Sequence, residues 1–123
     1  MKSKFVLLSA LGLLSLSSCK DQEITQIDCP NGIISFSAQV QPILNQNCNT
    51  MGCHGFNNEA PFQLITHQQV DSAVVFGNLL LSIKHQTPTP MPRIDPLIPD
   101  AYMLPDSIIQ IIECWINQGR QNN

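Results

Sequence analysis

Apolar and polar positions recur with a helical period through much of the chain, most plainly near its end. Ile108, Ile111, Ile112, Trp115 and Ile116 stand at i, i+3, i+4, i+7 and i+8, the spacing that lines one face of a helix. Asp106 or Ser107 starts this helix and Gly119 stops it. Earlier, Val40, Ile43 and Leu44 predict a helix capped by Ser35 or Ser37 and running to about Asn47. Pro42 makes it kinked or late-starting, because proline lacks an N–H and crowds the preceding turn. Thr66-His67-Gln68-Gln69 has the form of a capping box, with Gln at the third helical position, and predicts a short helix through Val70 and Ala73. Asn78 to Lys84 is a further helical candidate. From Thr87 to Pro99 the chain carries Pro88, Pro90, Pro92, Pro96 and Pro99, which predicts an extended and comparatively stiff loop. Ile33 to Phe36 fits either a short strand or the approach to the first helix.

The amino terminus follows a different pattern. Met1-Lys2-Ser3-Lys4 is a short basic segment, and the apolar run from Phe5 to Leu16 follows it, as in a secretory signal. The run is too short for a spanning helix, which needs about 20 apolar residues. It ends in Leu16-Ser17-Ser18-Cys19, which resembles the lipobox of bacterial lipoproteins. That resemblance implies a signal peptide over residues 1–18, lipid on Cys19, and a membrane anchor without a membrane crossing. An ordinary secretory signal with an incidental cysteine is the alternative. Residues 19–34 then form a tether and residues 35–123 the folded domain. Lys20-Asp21-Gln22-Glu23 in the tether is charged and without apolar period, and resembles the acidic patch that sorts some lipoproteins to the cell surface.

Composition narrows the partners. Removal of the leader takes Lys2 and Lys4 from six basic residues and leaves all nine acidic ones. An acidic balance without a basic cluster excludes nucleic acid and offers no attraction to anionic lipid. A cationic or neutral redox partner protein suits it better.

Five cysteines in an exported chain each need a fate under oxidising conditions. Cys19 takes lipid. Cys48-Asn49-Thr50-Met51-Gly52-Cys53-His54 presents two thiols and an adjacent imidazole, the chemistry of covalent haem attachment. Each thiol adds across a vinyl group to form a thioether, and the histidine ligates the iron. The spacing is two residues wider than C-x-x-C-H, so the extra residues must loop outward. Asn49, Thr50 and Gly52 are turn-compatible, Gly52 through its access to positive φ. Two other readings compete. One is a disulfide, between Cys48 and Cys53 or in another of the pairings open to four cysteines. The other is a zinc site completed by Cys29, His67, His85 or Cys114. Under the haem reading Cys29 and Cys114 are left over and can pair with each other, which shortens the free tether.

The second axial ligand separates electron transfer from ligand chemistry, since a five-coordinate iron binds small molecules and a six-coordinate one is closed. Met91, in Pro90-Met91-Pro92, is the first candidate because the flanking prolines restrict its backbone. Met103 is the runner-up, although its neighbours Tyr102 and Leu104 fit core packing. His85 and His67 offer bis-histidine ligation. Arg93 is placed to pair with a haem propionate, or is simply exposed.

Taken in order, Val40-Gln41-Pro42-Ile43-Leu44, Asn47-Cys48, Gly52-Cys53-His54-Gly55, Ile83-Lys84-His85, Pro90-Met91-Pro92 and Trp115-Ile116-Asn117-Gln118-Gly119 resemble the small monohaem cytochrome c domains of exported bacterial lipoproteins with a C-x4-C-H site. The resemblance spans about residues 35–120. It implies an all-α, class I-like cytochrome c fold with the first and last helices packed together. It also implies His54 proximal and Met91 distal to one haem c, and a cysteine near each end, as Cys29 and Cys114 stand here. Such a protein carries single electrons without turning over a substrate. Two alternatives remain in view: a five-coordinate haem sensor or peroxidase-like enzyme, and a cofactor-free disulfide-bonded surface lipoprotein.

Overall fold

A computed structural model describes residues 28–30, 32–56, 60–93 and 103–123. The leader, Cys19, most of the tether, Pro96, Pro99 and Tyr102 lie outside the described residues. Within them the chain is helical and has no strand. It consists of α1 (Gln41–Asn47), entered through a π-helical segment (Phe36–Val40), then α2 (His67–Gly77), α3 (Leu79–Ile83) and α4 (Asp106–Asn117). No described helix is long and apolar enough to cross a membrane.

The π-helical entry is the structural answer to Pro42. Ser35 caps it, its side chain accepting from the Ala38 N–H, and its carbonyl receives the Gln39 and Val40 N–H groups. The wider turn puts Pro42 at the start of the α-helix proper, where its missing N–H costs nothing. Ile33 to Phe36 is therefore the approach to the first helix and not a strand.

The capping box at α2 forms in full. Thr66 accepts from the Gln69 N–H, and Gln69 Oε1 accepts the N–H groups of Thr66 and Ile65. The helix runs one turn beyond the expected Ala73, to Gly77. Asn78, expected inside the next helix, instead takes the left-handed conformation (φ 56°) and forms the joint between α2 and α3. Asparagine tolerates that region better than most residues. At the other end of the domain, Gly119 (φ 93°) closes α4 in a Schellman arrangement, with Arg120 N–H on Trp115 O and Gly119 N–H on Ile116 O.

The buried face of α4 is rotated from the expected stripe. Ile109, Ile112, Cys114 and Trp115 are buried, while Ile108, Ile111 and Ile116 are partly covered. The helix is packed from more than one side, by the π-helical segment and by α3. Phe36 and Trp115 meet at 5.5 Å between ring centroids, and His67 sets its edge against both. Phe36, Trp115, Val40, Leu44 and Ile112 are almost wholly removed from water, each worth about 1.5–3 kcal/mol on burial.

Four ties hold the periphery. Cys29 and Cys114 form a disulfide, 85 residues apart in sequence. Asn123 folds back on the start of the first helix, where its main-chain oxygen accepts from Ser37 N–H and both Ser35 and Ser37 hydroxyls, and its side chain from Phe36 N–H. Lys84 and Glu113 pair across α3 and α4, and Arg120 and Asp71 across the tail and α2 at 2.7 Å.

Candidate functional site

The segment after α1 is held as a compact loop by its own main chain. The end of α1 hands directly to Cys48, whose N–H bonds Leu44 O, and Cys48 O in turn accepts the His54 N–H at 2.9 Å. This brings the two ends of the widened C-x4-C-H segment together. Gly52 supplies the positive φ (79°) expected of it. Within the segment Thr50, Met51 and Cys53 are exposed. Asn49, turn-compatible by type, turns inward: its Nδ2 donates to Asn45 Oδ1 and to Leu64 O, both at 2.8 Å. The main chain is also tight here: a Cβ at Gly55 would stand 2.6 Å from Asn49 O. The two strands of the loop approach more closely than any side chain allows.

This loop fixes the imidazole. His54 is buried and its Nδ1 lies 2.9 Å from Phe62 O. A carbonyl only accepts, so Nδ1 carries the hydrogen, and in the neutral ring this leaves the lone pair on Nε2, the form in which histidine binds a metal. The Phe62 ring packs on the imidazole at 4.7 Å, and Leu64 N–H bonds His54 O.

A cavity of about 500 Å³ opens beside this histidine, within the range of about 300–1,000 Å³ usual for cofactor and ligand sites. Cys48, Cys53, His54, Met91 and Arg93 all line it. Its remaining walls are largely apolar, with Leu44 from α1, Leu64, and Leu79 and Ile83 from α3. Ala73 and Gly77, one turn apart on α2, leave the space open by being small. No residue of α4 reaches the cavity, so Trp115, Ile112 and Ile116 act in the core.

Cys48 and Cys53 are free thiols in the structure, so the disulfide between them is not formed. Burial, with a smaller contribution from neighbouring Cys53, pushes the Cys48 thiol up to about 11. Cys48 is thus protonated at neutral pH and a poor thiolate ligand. Among the described residues no three His, Cys, Asp or Glu side chains converge where they would hold a metal ion.

The residues that the sequence offered as a second axial ligand lie in different places. Met91 lines the cavity and its N–H bonds Ser82 O at 2.9 Å. Met103 is exposed and lines a different cleft, with Lys84 and Glu113. His67 is half-buried against Phe36 and Trp115, with Nε2 on Arg120 O at 2.7 Å. His85 has positive φ (56°) and does not line the cavity. Arg93 is exposed at the cavity's edge. Sequence reasoning missed Phe62, whose contribution is a main-chain carbonyl that any residue supplies. It missed Ala73 and Gly77 as well, although two small residues at helical spacing on one face were there to be read. No family model, curated protein or solved structure matches the chain.

Proposed function

We propose that the protein is an exported, membrane-anchored c-type cytochrome that holds one covalent haem and carries single electrons. The observation that carries this reading is the convergence of Cys48, Cys53, His54, Met91 and Arg93 on one cavity, from segments far apart in sequence. The donor set fits the group. Two unpaired thiols are available for thioether bonds, an imidazole is held in the metal-binding tautomer, and a thioether stands on a second segment. A neutral thioether at Cys48 also escapes the burial penalty that a thiolate meets there.

Haem c supplies one-electron iron redox chemistry when bound. The chain's own residues do the rest. The Nδ1–H bond to Phe62 O sets the ring orientation of His54 and raises its basicity. Leu44, Leu64, Leu79 and Ile83 exclude water, which lowers the solvent rearrangement that accompanies a change of charge. Histidine with methionine favours the reduced state over a bis-histidine pair. Arg93 offers a cation to an acidic group at the cavity edge. Export and anchoring rest on the signal-like leader ending at Cys19, and the Cys29–Cys114 bond suits an oxidising compartment. The class I-like cytochrome c fold belongs to the same proposal, supported by the helical chain and by the contact between its first and last helical segments.

The test is expression with a cytochrome c maturation system, followed by acid-acetone extraction and a pyridine haemochrome assay. The expected result is one haem per chain that stays with the protein, and that is lost in the double variant Cys48→Ser, Cys53→Ser. A colourless protein favours a cofactor-free surface lipoprotein. A haem protein without the methionine-to-iron charge-transfer band favours bis-histidine ligation or a five-coordinate sensor or peroxidase-like protein.

A further inference from the structure

Met91 sits in a segment with almost no means of holding itself. Pro90 and Pro92 carry no N–H, so the Met91 amide is the single main-chain donor of Pro90-Met91-Pro92. That donor goes to Ser82 O at the end of α3, 2.9 Å away. The same serine acts a second time through its side chain. Thr87 Oγ1 donates to Thr89 O at 3.0 Å, which commits its hydrogen, so at its 3.5 Å contact with Ser82 Oγ it is the acceptor. A relay therefore runs from the Ser82 hydroxyl to the Thr87 hydroxyl to the Thr89 carbonyl, and ends two residues before Met91. Ser82 and Thr89 line the cavity together with Met91.

We propose that Ser82 and Thr87 are positioning residues for Met91, clasping the Thr89–Pro92 segment to the end of α3 so that the thioether stays at the cavity. The inference rests on the haem reading above and names what governs how firmly the sixth ligand is held. Without the clasp, the proline segment keeps its stiffness but loses its attachment. Met91 then leaves the iron more often, while His54 and both thioethers are untouched.

The experiment uses the full chain carrying haem, with Thr87→Val, Ser82→Ala and Thr87→Ser compared with wild type. Haem per chain, helical circular dichroism, the methionine-to-iron band and imidazole binding are measured on each. Losing one hydrogen bond shifts the bound-to-free balance of Met91 by about tenfold. The apparent Kd for imidazole falls by the same factor, because affinity scales with the fraction of open sites. Thr87→Val is expected to keep full haem and helicity, lose band intensity, and bind imidazole about tenfold more tightly. Ser82→Ala shifts the same way by less, since the Thr87–Thr89 bond remains and only the longer 3.5 Å contact is lost, and Thr87→Ser restores wild-type behaviour. Full haem in Thr87→Val or Ser82→Ala with unchanged band and imidazole affinity overturns the inference and leaves the haem reading standing. A wild-type chain that takes up no haem overturns both.

Discussion

Removing the Cys29–Cys114 bond should cost this domain a large share of its stability. The bond joins residues 85 apart, and closing a loop of that length in the unfolded chain is worth about 4.5 kcal/mol on the chain-entropy estimate. The other ties between the segment before the first helix and α4 with its C-cap are the burial of Ile34, its N–H bond to Gln118 Oε1 at 2.8 Å, and two side-chain bonds. Gln110 donates to Asp28 O at 3.1 Å and Gln118 to Gly32 O at 2.7 Å, both exposed. Cys114 is fully buried, and as a free thiol it packs as a small apolar group, so Cys29→Ser removes the cross-link with little harm to the core. The expected loss is between about 2 and 5 kcal/mol in urea unfolding, or roughly 20 °C in melting temperature at the upper end. Wild type treated with a thiol reductant should unfold with the midpoint of Cys29→Ser. A variant within about 1 kcal/mol of wild type would refute the argument, because the unfolded chain would then gain nothing from release of the loop.

The remaining predictions concern the site and its support. Gly55→Ala forces the Asn49 carbonyl and the His54 segment apart from a 2.6 Å approach, and should cost about 1–3 kcal/mol in chemical unfolding. Trp115→Ala empties the centre of the core and should cost about 3–5 kcal/mol, yet leave the haem spectrum of the folded protein unchanged because α4 does not line the cavity. In haem-free protein, the Cys48 thiol is raised in the folded state, from 9.0 to about 11. The folded state then holds the proton more tightly than the unfolded one, so stability is full below pH 9 and falls as pH rises toward 11. Denaturation curves across that range should show the loss in the thiol form, and neither Cys48→Ser nor haem-loaded protein should show this component.

Where the sequence was legible, the deciding interactions are local. The Thr66–Gln69 capping box, the glycine that ends α4 and the cluster of Cys48, Cys53 and His54 all lie within a few residues of their partners. What stayed hidden depends on contacts between distant segments. The π-helical turn before Pro42 is fixed partly by Asn123 reaching back to Ser35 and Ser37. Ile109 is buried because α3 covers a second side of α4. His67 is half-buried because Phe36, Trp115 and the tail carbonyl of Arg120 close around it. Asn49 reads as a loop residue by type, and is a clasp because Leu64 O arrives from a later segment. Met91 and Arg93 were legible as candidates from their proline setting, but their shared cavity with His54 is a property of the tertiary fold.

The most direct measurement of the central claim is the absorption spectrum of the matured protein, oxidised and then reduced, in wild type and Met91→Ala. The account predicts a covalently retained haem with sharp reduced bands, and a methionine-to-iron charge-transfer band in the oxidised form that disappears in Met91→Ala. A colourless wild-type protein, or a haem protein whose spectrum is unaltered by Met91→Ala, would contradict it.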